Sequence, residues 1–150
     1  MRRRQLYWED VAVGQELPSF DLEINARRLV LQVSGSQDHY PVHFDRDFAR
    51  AAGHAGVFMS SGFTEAALAR VISDWMGDEG WLRKLRLEMR RQNRLGDVMV
   101  CKGRVVAKYV QDGDHYVECE VWAENQREGV TTPGRAWVIL PRRGPQGGEA

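Results

Sequence analysis

The sequence has few cysteines and no net charge. Only Cys101 and Cys119 occur in 150 residues, and both lie in strand-like stretches without the spacing of a metal site. We therefore expect reduced thiols in the core and no disulfide. The 21 basic and 21 acidic side chains cancel, so there is no global electrostatic case for binding nucleic acid.

Long hydrophobic runs are also absent. No apolar segment approaches the roughly 20 residues that span a bilayer, so a membrane span is not expected. The basic N-terminal stretch MRRRQLYWED has no apolar segment behind it, unlike a secretory signal, and we expect a cytoplasmic protein. The sequence lacks a glycine-rich nucleotide loop and histidines at metal-ligand spacing, so we expect no dinucleotide cofactor and no metal.

The length and composition indicate one globular domain. A chain of 150 residues with 43% hydrophobic side chains can bury a substantial core, and no repeat or linker divides it. The C-terminal PRRGPQGGEA carries little that could be buried. We expect a single domain over residues 1–140 and a flexible tail over residues 141–150.

The hydrophobic periodicity predicts one long helix followed by strands. Residues 60–76, SSGFTEAALARVISDWM, lack proline and place apolar residues at three- and four-residue spacing behind a capping serine. LRKLRLEMRRQ then alternates, with Leu85, Leu87 and Met89 on one face. VMVCKGRVVAKYV, HYVECEVWAEN and RAWVIL follow the turn signals GD, QDGD and TTPG, which predicts four strands in meander order.

The segments before the long helix complete the fold prediction. SFDLEI is a plausible strand, ARRLVLQVSGS is a strand or a short helix, and DRDFARAAG is a short helix capped by Asp45 and stopped by Gly53. A long helix that is mostly apolar must be covered on several sides. We therefore predict an α+β fold of the hot-dog kind, in which a curved antiparallel sheet wraps around one long central helix.

The stretch SQDHYPVHFDRDFA, residues 36–49, concentrates titratable side chains between two apolar segments. Asp38 and His43 share no helix face, but Pro41 between them imposes a bend that can turn both side chains toward one point. Such a pair supplies one group to take a proton from water and one to give a proton to the α-carbon of a conjugated double bond. Each residue alone has a plainer role in a turn or loop. His39 is expected to be exposed and His54 to lie in a loop.

The run from Asp38 to His43, Asp-His-Tyr-Pro-Val-His, resembles the Asp-x-Asn-Pro-hydrophobic-His motif of the MaoC-like R-specific enoyl-CoA hydratases and 3-hydroxyacyl dehydratases. YWEDVAVGQELP, SSGF and RQNRLGDVMVCKGRV resemble further family segments, in the family's order, over residues 7 to about 140. The resemblance implies a paired hot-dog domain and a hydro-lyase in which Asp38 and His43 hydrate a 2-enoyl thioester reversibly. Which of the two is the acid stays open.

The resemblance also implies the groups that bind the substrate. The family uses a backbone amide at the start of its long helix as an oxyanion donor, here at Ser61 or Gly62. An arginine would meet the phosphates of coenzyme A or the phosphopantetheine of a carrier protein, and Arg90, Arg91 and Arg94 are available.

Two positions depart from the family pattern. Tyr40 replaces the asparagine that helps to hold the attacking water, so we assign Tyr40 to the substrate pocket. Gln37 replaces the glycine that usually precedes the aspartate.

Three functional classes remain open at this stage. The first is the lyase, a hydratase or dehydratase of fatty acyl thioesters. The second is a hot-dog thioesterase, for which Glu65 is the obvious acidic residue on the long helix. The third is a non-catalytic hot-dog subunit that completes a partner's site. The expected partners are an acyl thioester of coenzyme A or of a carrier protein and a second copy of the chain, and no cofactor is expected.

Overall fold

One curved antiparallel sheet and three helices make up the part of the chain that this computed structural model describes, residues 4–144. The elements in chain order are β1 (Phe20–Glu23), α1 (Ala26–Ser36), α2 (Arg46–Ala51), α3 (Ser61–Met76), β2 (Trp81–Leu87), β3 (Val98–Gln111), β4 (Asp114–Asn125) and β5 (Gly129–Ile139). The strands follow one another across the sheet in the order β1-β3-β4-β5-β2. The ambiguous segment ARRLVLQVSGS is the helix α1.

Helix α3 is the central helix that the periodicity predicted. The Ser60 hydroxyl caps it by accepting a hydrogen bond from the Phe63 amide at 3.3 Å, and Gly77, with φ +81°, ends it. Its buried face packs against the sheet and consists of Thr64, Ala67, Leu68, Val71, Ile72 and Trp75. The predicted hot-dog architecture, a curved antiparallel sheet around one long helix, is confirmed.

The predicted meander order is wrong for one strand. Strands β3, β4 and β5 are consecutive neighbours, but β2 pairs with β5 at the sheet edge and not with β3. The segment after β2 instead runs past the start of α3. There the Met59 amide donates a hydrogen bond to the Asn93 carbonyl at 2.9 Å, and the Leu95 amide donates one to the Val57 carbonyl at 3.1 Å. After this segment the chain enters β3, which pairs with β1 on the side of the sheet opposite to β2.

The strand boundaries differ from the prediction at two points. Strand β2 ends at Leu87, so Met89 lies outside it and is exposed. The TTPG sequence is not a turn but part of β5, which begins at Gly129. Gly134 is required there because an added Cβ would lie 2.5 Å from the Arg86 carbonyl oxygen and 2.3 Å from a methyl group of Leu87. The close approach of β2, not a chain reversal, explains this glycine.

Both cysteines are buried free thiols, as the sequence predicted. Cys101 on β3 and Cys119 on β4 are fully enclosed in the core. Desolvation raises the pKa of each thiol to about 12, because burial disfavours the charged thiolate. The native thiols are therefore poor nucleophiles near neutral pH.

We expect the folded protein to resist alkylation by iodoacetamide. A free thiol has a pKa of about 8.5, so the cysteines of the unfolded chain should react readily at about pH 8. In the folded protein the raised pKa of both thiols leaves few reactive thiolates at that pH. Mass spectrometry of the native and guanidinium-unfolded protein after equal exposure measures the difference. Rapid labelling of Cys101 or Cys119 in the native protein would contradict the burial.

The end of the described chain is tied to its beginning. The Trp8 amide donates to the Pro141 carbonyl at 2.9 Å, and the ion pairs Arg142–Glu9 and Arg143–Asp10 follow. The hydrogen bond from Arg142 lowers the pKa of Glu9 to about 2. The rest of the predicted flexible tail, residues 145–150, lies outside the described residues, and its flexibility stays a prediction. Across residues 4–144, every helix is too short or too polar to cross a membrane.

Candidate active site

The loop between α1 and α2 brings Asp38 and His43 together. Helix α1 ends at Ser36, and Pro41 begins a single 3-10 turn that ends at His43. Asp38 stabilises the bend because its carboxylate accepts a hydrogen bond from the Tyr40 amide at 3.3 Å. The result is a distance of 3.4 Å between Asp38 Oδ2 and His43 Nε2. The bend imposed by Pro41 therefore forms the pair that the sequence predicted.

The two members of the pair differ in burial and in partners. The His43 side chain is 7% exposed and the Asp38 side chain 46%. His43 Nδ1 lies 2.8 Å from the carbonyl oxygen of Phe58. Because a carbonyl oxygen only accepts, Nδ1 carries a proton, and Nε2 is the ring nitrogen that faces Asp38. The tautomer is thus assigned from the hydrogen-bond network.

Gln37 has a backbone conformation that favours glycine. Its backbone is left-handed, with φ +59° and ψ +20°, where it ends α1. A side chain in this region costs about 1 kcal/mol or more, and glycine does not have that cost. The departure at Gln37 keeps the shape of the loop at the expense of local strain.

Tyr40 stands beside the pair, with 54% of its surface exposed. Its ring packs edge-on against the rings of Phe48 and His43, with centroid distances of 5.8 and 6.4 Å. The ring therefore contacts Phe48 of α2 and the imidazole of the candidate catalytic residue His43.

An apolar groove of about 390 Å³ adjoins the dyad loop, between α1 and the start of α3. It is lined by Arg28, Leu31, Gln32, Gly35, Ser36, Gly62, Phe63 and Ala66. Ser36 connects the groove to the dyad, since its hydroxyl accepts a hydrogen bond from the Asp38 amide at 3.3 Å. Gly62 faces open space, because an added Cβ would meet no atom within 4 Å.

The first turn of α3 offers hydrogen-bond donors to this groove. Ser60 satisfies the amides of Phe63 and Thr64 through its hydroxyl and its carbonyl oxygen. Within residues 4–144, the amides of Ser61 and Gly62 have no hydrogen-bond partner. Such free amides at the positive end of a helix dipole favour a partly negative oxygen. Of the two predicted oxyanion donors, Gly62 lines the groove, and Ser61 precedes it at the start of α3.

Gln32 is a groove residue that the sequence did not single out. It is only 4% exposed, and its Oε1 accepts hydrogen bonds from the Ser60 amide at 3.0 Å and the Ser60 hydroxyl at 3.3 Å. Its Nε2 is buried and has no partner among the described residues. The feature of the sequence that could have indicated Gln32 is its position as an amide side chain between Leu29 and Val33, on the face of α1 that is buried.

A second, smaller cavity of about 260 Å³ lies on the other side of α1 and is lined in part by His43. Its walls are mostly apolar, formed by Leu29, Val30, Val57 and Leu95, with Arg46 as the charged residue. His43 thus has apolar surroundings on its far side, and its polar contacts are with Phe58 and Asp38.

The predicted phosphate-binding arginines do not line the groove. Arg90 pairs with Glu88 at 2.7 Å, and Arg91 lies 3.7 Å from Glu128. Arg90 borders a larger concavity of about 560 Å³ on the sheet, which also contains the ion pair between Arg135 and Glu118. The residues that line this concavity include no histidine or cysteine and no residue of the dyad loop. A role of Arg90 and Arg91 toward phosphate stays a prediction.

The other acidic and histidine side chains considered from the sequence lie outside the groove. Glu65 is exposed on α3 and does not line the groove. His39 is exposed and His54 lies in a loop against Gln92 and the ring of Phe58, as predicted. Residues 4–144 contain no cluster of three or more His, Cys, Asp or Glu side chains suited to a metal ion.

Comparison by sequence finds no matching family model and no matching curated protein. Comparison by structure finds close similarity. The MaoC-like dehydratase from Rhodospirillum rubrum aligns with a TM-score of 0.78 and 25% identity over 93% of this chain and 99% of its own. The R-hydratase PhaJ1 from Pseudomonas aeruginosa aligns with a TM-score of 0.80 and 21% identity over 93% and 88%.

A chain of the ChsH1-ChsH2 complex from Mycobacterium tuberculosis is also similar, with a TM-score of 0.77 and 24% identity over 86% of this chain and 98% of its own. These likenesses span nearly the whole domain, and the resemblance seen in the sequence is matched by the fold. The chain therefore has the hot-dog fold, which it shares with MaoC-like dehydratases and R-hydratases.

Proposed function

We propose that the protein is a MaoC-like hydro-lyase that adds water reversibly to a 2-enoyl thioester and forms a 3-hydroxyacyl thioester. The observation that carries the proposal is the 3.4 Å approach of His43 Nε2 to Asp38 Oδ2 in the loop that adjoins the apolar groove. An acid and a base at one point, beside an apolar channel, are what this reaction needs.

The proposed step balances with two proton transfers. Water held by Asp38 and His43 attacks the β-carbon and gives one proton to the basic member of the pair. The acidic member gives one proton to the α-carbon, so the net change is the addition of one water and no other reactant is consumed. Negative charge develops on the thioester oxygen in between, where a Ser61 or Gly62 amide stabilises it.

The substrate follows from the groove and from the family resemblance. Leu31, Phe63 and Ala66 offer apolar contacts for an acyl chain, and the carrier is coenzyme A or an acyl-carrier protein. We also propose a cytoplasmic homodimer, because the family resemblance implies paired hot-dog domains and both cysteines are buried free thiols.

A second candidate is a non-catalytic subunit of a heteromeric dehydratase. It is favoured by the similarity to a chain of the ChsH1-ChsH2 complex. Native mass spectrometry separates the two, because a homodimer of 17.1 kDa chains that turns over enoyl thioesters on its own needs no partner. A thioesterase role is disfavoured because Glu65 is outside the groove.

A panel of enoyl-CoA thioesters of increasing chain length tests the proposed function. Loss of the conjugated absorbance reports hydration, and a thiol reagent in a parallel reaction reports hydrolysis to free coenzyme A. We expect hydration of at least one short, unbranched substrate without thiol release. Thiol release without hydration would indicate a thioesterase.

We expect Tyr40→Phe to lower kcat by about 10-fold, the equivalent of one lost hydrogen bond of about 1.4 kcal/mol, because the hydroxyl holds the water in place of the family's asparagine. The ring contacts with Phe48 and His43 remain in this variant, so melting should not change. Steady-state kinetics and thermal melting check both points, with Tyr109→Phe on β3 as the matched control. If the kinetics of Tyr40→Phe are as unchanged as those of the control, Tyr40 has no role in the site.

A further inference from the structure

The unpartnered amide of Gln32 requires an explanation beyond packing. Gln32 is 4% exposed, lines the groove, and leaves Nε2 buried without a hydrogen-bond partner among residues 4–144. A buried donor that is not satisfied is costly, and native proteins rarely keep one without a function. The position on the otherwise apolar face of α1 makes this donor the more unusual.

The orientation of the Gln32 amide is fixed by Ser60. The backbone N–H of Ser60 can bond only to an acceptor, so Oε1 must face Ser60, at 3.0 Å, and Nε2 must take the other side. A flipped amide would set two donors against each other. The free donor is therefore a property of the site and not an arbitrary choice of rotamer.

Hydrogen bonds join the backbone of Gln32 to the dyad loop. The Ser36 hydroxyl donates to the Gln32 backbone carbonyl at 2.6 Å and accepts from the Asp38 amide at 3.3 Å. On its other side, Gln32 contacts Ser60 at the start of α3, next to the free amides of Ser61 and Gly62. The donor thus lies between the dyad loop and the helix end that faces the groove.

We propose that Gln32 binds the substrate, and that its Nε2–H donates to the thioester carbonyl oxygen together with an amide of Ser61 or Gly62. The inference rests on the proposed hydration of an enoyl thioester and names a further residue for it. As water adds to the β-carbon, this oxygen gains negative charge, and a fixed donor beside the apolar groove stabilises that charge more than it stabilises the neutral substrate.

The variant Gln32→Glu tests the donor while it keeps the structural contact. A glutamate at this position still accepts from the Ser60 amide, and its ionised form has no donor. Because burial favours the protonated acid, kcat is measured from about pH 7 to about pH 9 so that the ionised form is reached. We expect kcat to fall by about 100-fold, as for a lost oxyanion donor, with a melting temperature close to that of the wild type. Gln15→Glu is the matched control, because Gln15 Oε1 also accepts a backbone amide, that of Ala12.

The variant Gln32→Met separates the loss of the donor from the added charge. It removes donor and acceptor without a charge, so we expect a similarly low kcat and, in addition, a lower melting temperature because the Ser60 amide loses its acceptor. Full activity of Gln32→Met beside an inactive Gln32→Glu would attribute the effect to charge alone and overturn the proposal. Gln32→Glu within about 2-fold of wild-type kcat would reduce Gln32 to a structural cap.

Infrared spectra of bound butyryl-CoA give a readout that does not need turnover. This saturated thioester cannot be hydrated, and we expect its carbonyl stretch to shift to lower frequency in the wild-type protein and to lose most of that shift in both Gln32 variants. A shift that depends on Gln32 in a protein that hydrates no enoyl thioester would refute the proposed function alone. Hydration with an unaltered shift in the variants would refute the role of Gln32 alone. A wild type that binds the butyryl thioester neither of coenzyme A nor of an acyl-carrier protein would refute both.

Discussion

Asp38→Asn and His43→Gln should each lower kcat for the best enoyl thioester by about 100-fold or more, because each removes the acid or the base of the proposed reaction. Both should fold. The asparagine keeps an oxygen that accepts from the Tyr40 amide, and the glutamine can donate to the Phe58 carbonyl as His43 does. Steady-state kinetics with thermal melting of each variant makes the measurement.

Two nearby substitutions are matched controls for the dyad variants. His39→Gln removes an exposed imidazole in the same loop, and Asp47→Asn removes an exposed carboxylate in α2. Both should keep near-native turnover. The double variant Asp38→Asn/His43→Gln should be little slower than either single variant, since the two residues act as a unit. Near-native kcat in a folded single variant would contradict the dyad.

The largest effect on stability is expected at Asp97, in the Gly96-Asp97 turn before β3. Its side chain is 7% exposed. The carboxylate accepts hydrogen bonds from Arg127 Nη2 and from the backbone amide of Arg94, each at 2.8 Å, and from the side-chain amide of Asn125 at 3.3 Å. Asp97→Ala removes the acceptor that these groups share and should lower the free energy of unfolding by about 3 kcal/mol. Urea unfolding at equilibrium measures the change.

The matched control for Asp97→Ala is Asp21→Ala on β1, an exposed carboxylate that should change the free energy of unfolding by less than about 0.5 kcal/mol. The loss of unfolding free energy in Asp97→Asn should lie between those of Asp97→Ala and Asp21→Ala, because one side-chain oxygen can still accept from Arg94 and Asn125. Equal stability of Asp97→Ala and the wild type would show that the turn does not depend on this network.

The sequence predicted those features that depend on a few neighbouring residues. The bend at Pro41 lies within the six-residue run from Asp38 to His43, so local geometry was enough to bring the two side chains to 3.4 Å. The serine cap likewise lies at the start of α3 itself. The predicted central helix follows from these local signals.

Features that depend on distant segments were not predictable in the same way. The alternation of β2 defines which face is buried but not which strand is its neighbour, so its pairing with β5 was missed. Pro133 and Gly134 resemble a turn locally, and only the close approach of β2 explains them. Gln32 and Ser60 are 28 positions apart, so the orphan amide could not be recognised before α1 was placed against α3.

The most direct test of the proposed function is the mass of the product that the purified protein forms from a short, unbranched 2-enoyl-CoA in water enriched in heavy oxygen. We predict that the wild type forms the intact thioester plus one water, with the heavy oxygen in the new hydroxyl group, and that Asp38→Asn forms almost none of this product. Free acid and free coenzyme A, or unchanged substrate at every chain length of the panel, would contradict it.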